Sequence, residues 1–190
     1  LTAAGPHLFW ITSRAAGTAA VILSSASLGV GLLIRGRSEP RRLAAVDARV
    51  LHEALSLATL IAIAVHGLAL LGDSYLHPTV LDISIPFDGS YRPLWTSIGI
   101  VAGWGLAALG LSYYARARIG QARWRYLHRF TAAFWAMGIV HTLGAGTDAS
   151  EPWLIVALLA PTVPALVLLA RRMADLPAVR AAWGLSDRQS

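Results

Sequence analysis

The chain contains no cysteine, which excludes disulfides, iron–sulfur clusters and thiolate metal sites. It also lacks lysine, so arginine supplies all sixteen of its basic residues. Charge of either sign is scarce. Only 14% of residues are charged, against roughly 25% in an ordinary soluble domain. No Asp or Glu lies deep in any long apolar stretch, which argues against a carboxylate-built metal site. What fills the chain instead is apolar: 56% of its 190 residues are hydrophobic and the mean hydropathy is +0.57. That balance points to a membrane protein. A net charge of +6 and a pI near 10.7 would suggest nucleic acid in a soluble protein. Here most arginines sit in short segments beside apolar runs, the mark of membrane orientation, so nucleic acid is not an expected partner.

Five apolar segments stand out: Phe9–Ile34, Arg49–Leu71, Leu94–Ala115, Trp124–Ala145 and Trp153–Ala170. At about 1.5 Å per residue each can cross a hydrocarbon core of about 30 Å. Lipid offers the backbone no hydrogen-bond partners, so these segments are expected to be helices. The expected fold class is all-α, a bundle of five transmembrane helices. The connection between segments one and two carries Arg35, Arg37, Arg41, Arg42 and Arg49. That between three and four carries Arg116, Arg118, Arg123 and Arg125, and the tail carries Arg171, Arg172, Arg180 and Arg188. The other two connections are acidic, with Asp73, Asp82 and Asp88 against Arg92 in one, and Asp148 and Glu151 in the other. The positive-inside rule then puts the N-terminus outside and the C-terminus in the cytoplasm. Trp10, Trp95 and Trp153 mark the outer interface on this reading, and Tyr113, Tyr114, Trp124 and Tyr126 the inner one. The outer connection Gly72–Pro93 is rich in turn signals and reads either as a lid or as a solvated connector. Pro177 to Trp183 reads as an interfacial helix or a frayed tail.

Helix two contains His52 and His66; helix four contains His128 and His141. Ionisable residues inside a membrane helix are costly and mark function by default. Both helices run from the cytoplasm outward, so His52 and His128 lie near the inner face and His66 and His141 toward the outer. The spacings are 14 and 13 residues, about 21 and 20 Å along a helix. The two ladders match in height and set two cross-helix pairs at two levels. A bis-imidazole pair suits a six-coordinate haem iron, and iron with no open position suits electron transfer. The angles fit less well. Fourteen steps of about 100° return to within about 40° of the starting face, whereas thirteen miss it by about 140°. Helix tilt, a kink near Gly138 or rotated haem planes are the three ways to reconcile helix four. The bland alternative is four packed polar residues. His7 and His77 fall outside the pattern and read as ordinary surface residues.

At these residues the chain resembles the ferric reductase-like transmembrane family, which includes the NADPH oxidases, the iron-reducing membrane reductases and the haem subunit of the bacterial methionine sulfoxide reductase system. The motifs are His52-Glu-Ala-Leu-Ser-Leu with Ala-Val-His66-Gly, and Leu127-His128-Arg129-Phe130 with Ile-Val-His141. The resemblance covers Trp10 to Arg172, nearly the whole chain. The resemblance implies two b haems, with His52, His128, His66 and His141 as iron ligands. It implies that Phe134 lies between the two haems. Arg14 would lie by the outer haem, where a propionate would suit a lone intramembrane arginine, as would the headgroups. Arg129 would lie by an inner propionate or lipid phosphate. Two departures stand out. The oxidases have a second histidine where this chain has Leu70. The tail after Arg172 holds no glycine-rich dinucleotide fingerprint, so the chain is not expected to take hydride from a nicotinamide itself.

The expected protein is therefore a haem-carrying transmembrane domain over residues 9–172 with a short cytoplasmic tail over 173–190, in the bacterial plasma (inner) membrane. As an oxidoreductase component it would carry electrons from a cytoplasmic-side donor to an outer acceptor. The donor would be a separate flavoprotein, bringing FMN or FAD, or a membrane quinol. The acceptor would be Fe(III), oxygen or an extracytoplasmic partner protein. The rival from another class is a non-haem transporter, in which intramembrane histidines bind metal or relay protons. A third reading is a structural anchor for a partner enzyme, which leaves the histidine ladder without a purpose.

Overall fold

The computed structural model describes residues 5–36, 42–147 and 149–174. They form eight helices: α1 (Gly5–Gly36), α2 (Arg42–Leu70), α3 (Val80–Ser84), α4 (Pro93–Leu111), α5 (Arg116–Ile119), α6 (Gln121–His128), α7 (Thr131–Ala145) and α8 (Pro152–Ala174). No strand occurs among the described residues. The interfacial helix or frayed tail expected over 177–183 lies outside them, as do Arg37, Arg41, Arg180, Arg188 and Asp148 of the charge argument.

Four helices are long and apolar enough to cross a membrane: His7–Ile34, Asp47–Leu70, Pro93–Leu111 and Pro152–Ala174. The chain is thus a multi-pass membrane protein. Large side chains such as Leu33, Ile61, Val101 and Val156 stay exposed along these helices, a surface that water would not tolerate over such an area.

The expected fourth span, Trp124–Ala145, is not one of the four, because it is made in two pieces. The Thr131 hydroxyl donates to the His128 carbonyl at 2.6 Å. The Ala132 amide, which would otherwise take that carbonyl, bonds Arg129 instead. The amides of Arg129, Phe130 and Ala133 likewise reach back three residues rather than four. The result is a tightened turn between α6 and α7. Helix α7 runs unbroken through Gly138, so the irregularity lies nine residues before that position, where a kink was one of the three options.

Two helix pairs dominate the packing, α1 along α2 and α4 along α7, with α8 laid on α1. Helices α2 and α4 also touch, and α1 touches α7. By contrast α2 and α7, which carry the four histidines, are not a closely packed pair. Val21, Leu154 and Leu158 form the buried core, with Ile22 and Ile139 against it, at the junction of α1, α7 and α8. A polar tie crosses the same junction. The Trp135 indole donates to the Ser25 hydroxyl at 2.9 Å, and Ser25 meets Thr162 at 3.2 Å. A buried donor in lipid has no water to fall back on, so it must find such a partner.

The connection between α2 and α4 is folded rather than loose. Asp73 is buried and accepts the amides of Tyr75 and Leu76. Thr79 and Asp82 cap α3 reciprocally, satisfying amides that no helical carbonyl can reach. The segment then lies along the flank of α4. Only its last residues reach across the bundle end, where the Arg92 guanidinium donates to the Gly144 carbonyl at 2.7 Å. A cation there also suits the carboxyl end of α7.

Candidate functional site

The four histidines of α2, α6 and α7 meet in the two pairs that their heights imply. The ring centres of His52 and His128 are 6.3 Å apart, and those of His66 and His141 6.1 Å. Both pairs are edge-on rather than stacked, at 89° and 70°. An imidazole nitrogen binds a first-row metal at about 2.0 Å and the ring centre lies about 1.2 Å beyond, so two rings on opposite sides of one ion sit about 6.4 Å apart. A bare edge-on ring contact falls in the same range, so distance alone does not separate the two.

His66 Nδ1 lies 2.8 Å from the Ser13 carbonyl, and His52 Nδ1 lies 2.9 Å from the Ser27 carbonyl. His141 Nδ1 lies 2.8 Å from the Trp95 carbonyl. A carbonyl can only accept, so each Nδ1 carries the proton and each Nε2 is the bare nitrogen. None of these Nε2 atoms has a hydrogen-bond partner among the described residues. Tying one ring nitrogen to a carbonyl while leaving the other bare is how proteins prepare histidine for a metal.

Helix α1 builds its half of this arrangement twice. Ser13 and Gly17 embrace His66; Ser27 and Gly31 embrace His52. The two Ser-x-x-x-Gly units stand 14 residues apart, the same step as His52 to His66 on the antiparallel α2. Both serine hydroxyls also lie against their histidine, 3.0 Å from Nδ1. The glycines are there for closeness. A Cβ at 17 would stand 3.0 Å from His66 Nδ1, and one at 31 would stand 3.1 Å from His52 Cε1. Helix α4 repeats the scheme once, with the Trp95 carbonyl and, one turn on, Gly99 against the His141 ring.

The fourth histidine departs from the scheme. Leu109 stands 14 residues on from Trp95, but His128 Nδ1 is buried without a hydrogen bond. Where a glycine would follow one turn later stands Tyr113. Instead Trp124 stacks on the His128 ring, 4.9 Å between centres and 27° from parallel, with Tyr113 edge-on behind it. His128 is thus held by an aromatic face.

The tightened turn accounts for much of the angular misfit of helix four. A three-residue turn advances about 20° more per residue than an α-helical one. Four such amides, those of Arg129, Phe130, Ala132 and Ala133, add about 80° and cut the mismatch from about 140° to about 60°. The residual has the same sense as the roughly 40° of α2, so the two ladders rotate together.

The other predicted residues are placed as follows. Arg14 is half-buried with its guanidinium 4.0 Å over the Trp10 ring, beside Ser13 at the level of His66. Arg129 is exposed, 5.9 Å from the Tyr126 ring. Phe134 is half-buried against Gly105 of α4, six residues past His128 and seven before His141, between the two levels. His7 and His77 are exposed. Sequence reasoning missed Ser13, Ser27, Gly17, Gly31, Gly99 and Trp124. The signal for the first four was present, as a Ser-x-x-x-Gly unit repeated at the histidine spacing.

Among the described residues no group of three or more His, Cys, Asp or Glu is placed to hold a metal ion. The histidines come in twos. No protein-family profile, curated protein or solved structure matches the chain.

Proposed function

We propose that this chain is a transmembrane b-type cytochrome, the electron-carrying component of a membrane oxidoreductase. The observation that carries the reading is the double pairing: two cross-helix histidine pairs with ring centres 6.3 and 6.1 Å apart, three of the four rings held through Nδ1 on neighbouring carbonyls. Two ligands per site suit an iron whose four other positions are filled by a porphyrin, and suit a polyhedral transporter site poorly. Haem b would supply one-electron transfer at each level. His52 and His128 would hold the inner group, and His66 and His141 the outer.

The remaining work belongs to the protein. Continuous α2 keeps the levels about 21 Å apart. The carbonyls of Ser13, Ser27 and Trp95 fix tautomer and ring plane, and Trp124 fixes the ring plane of His128 by contact. Arg14 and Arg129 are the candidate propionate partners, and Phe134 the aromatic between levels. The proposal includes the α6–α7 unit as a fifth membrane crossing, the N-terminus outside and the C-terminus in the cytoplasm of a bacterium. It includes a flavoprotein (FMN or FAD) or quinol donor on the inner side, and Fe(III), oxygen or a partner protein as outer acceptor.

The test is the haem-to-protein ratio of purified protein, with a dithionite-reduced minus oxidised spectrum. Two low-spin b haems per chain are expected, and His52→Ala or His66→Ala should each remove one. Protein that binds none, when made with ample haem, overturns the reading and brings the transporter forward.

A further inference from the structure

We infer that the segment from Thr79 to Phe87 is inserted in the outer-leaflet acyl layer of the bilayer, as a lipid-contacting wedge on the flank of α4. The first observation is depth. Helix α4 runs from Pro93 to Leu111, about 28 Å of rise against a core of about 30 Å, so Pro93 stands near the edge of the hydrocarbon. Trp104 lies eleven residues further on, about 16 Å down the axis. Its indole nitrogen donates to the Ser84 carbonyl at 3.0 Å. Even an indole extended fully toward the helix start, about 5 Å, leaves that carbonyl roughly 8 Å below Pro93. The bond from the Phe87 amide to the Ser97 hydroxyl, 2.7 Å long, marks the segment's climb back up the same helix.

The second observation is what faces outward. Val80 is 60% exposed, Leu81 55%, Ile85 47% and Phe87 67%. Trp104 beside them is 62% exposed. Water on such a cluster is unfavourable at about 25 cal/mol per Å² of apolar surface; acyl chains are not.

The third observation is the backbone. A solvated connector leaves its amides to water, whereas one in lipid must satisfy them itself. Here the Thr79 amide bonds the Asp82 carboxylate, the Asp82 amide bonds the Thr79 hydroxyl, and the Ile85 amide bonds the Leu81 carbonyl. Phe87 uses Ser97, Asp88 uses the Ile85 carbonyl, and Pro86 has no amide to satisfy. Asp82, the one ionisable residue of the segment, has its carboxylate tied into the α3 cap. Depth and apolar exposure are what a lipid-inserted loop needs, and the pairing lacks only the amides of Val80 and Leu81, which open α3 where no helical carbonyl can reach them.

The absence of cysteine makes the test direct. Single substitutions Leu81→Cys, Phe87→Cys and Asp88→Cys are made in the full chain and reconstituted in phosphatidylcholine vesicles. Membrane-impermeant maleimide should label Asp88→Cys at least tenfold faster than Leu81→Cys or Phe87→Cys, with equal rates once the protein is unfolded. Nitroxide labels at 81 and 87 should collide with oxygen more readily than with a water-soluble nickel complex. Adding Trp104→Phe to Phe87→Cys should raise its labelling rate severalfold. Equal labelling of Phe87→Cys and Asp88→Cys in intact vesicles would overturn the proposal in favour of a solvated loop. Protection from both maleimide and oxygen would overturn it in favour of a cover made by a second copy of the chain.

Discussion

Gly29 and Gly31 lie two residues apart in the same helix, and they make a controlled pair. A Cβ at 29 meets nothing within 4 Å, whereas one at 31 would stand 3.1 Å from His52 Cε1 and 3.4 Å from Nδ1. Both Gly→Ala changes gain the same backbone preference, about 0.5–1 kcal/mol. Gly29→Ala should therefore stabilise the protein slightly and leave its spectrum alone. In Gly31→Ala the ring must retreat by a few tenths of an ångström to reach ordinary carbon contact of about 3.5 Å. It can do so only by straining the 2.9 Å bond to the Ser27 carbonyl. Overpacking of this kind costs about 1–3 kcal/mol, which outweighs the helix gain. Disturbing the group that orients a ligand lowers metal-site affinity by about 10–100-fold, or roughly 1.4–2.7 kcal/mol. Haemin titration of the apo-protein should show the weaker of two sites weakened by that factor in Gly31→Ala only, with one low-spin electron paramagnetic resonance signal changed and the other intact. If Gly31→Ala binds two haems as tightly as Gly29→Ala, the placement of His52 against α1 as a ligand cradle is wrong.

Trp124→Leu removes the face that holds His128; the inner signal alone should broaden or turn high-spin, while the outer signal keeps its line shape. Thr131→Val removes the hydroxyl that takes the His128 carbonyl. The tightened turn then loses its cause, and a stability loss of about 1 kcal/mol should accompany a shift of the inner signal. Ser25→Ala leaves the Trp135 indole buried without an acceptor, at a cost of about 1–2 kcal/mol. Thermal unfolding should fall by roughly 2–8 °C with haem content unchanged; a Tm within a degree of the parent would show that the tie between α1, α7 and α8 carries no stability.

The helices and the heights of the histidines were legible in the residues, because both depend on quantities that tertiary structure barely alters. A span must be apolar for about 30 Å, and helical rise is close to 1.5 Å per residue wherever the helix sits. Counting from His52 to His66 and from His128 to His141 therefore yields the two levels without any knowledge of neighbours. Rotation about the helix axis is different. It accumulates at about 100° per residue, so one local change in hydrogen bonding alters every later position. On helix four that change is the Thr131 hydroxyl on the His128 carbonyl, a competition between side chain and amide that hydropathy does not register. A kink near Gly138, one of three ways to reconcile helix four, rested on residue type alone, and α7 passes through that position unbroken.

The connection between α2 and α4 shows the same division. Proline, glycine and aspartate announced turns between Gly72 and Pro93, and α3 closes its own cap with Thr79 and Asp82. Where that capped piece lies depends on a bond between Ser84 and Trp104, twenty residues apart, and on Ser97 offering its hydroxyl to Phe87. The sequence by itself determined the composition of the membrane segments, the vertical spacing of the histidines and the local caps, since each of these is an additive, short-range property. Only the tertiary structure decided which carbonyls hold the rings, that Trp124 replaces one of them, and that the connection between α2 and α4 lies along α4. Those outcomes need side chains from different helices to arrive within about 3 Å of one another, and no sum over local preferences contains that distance.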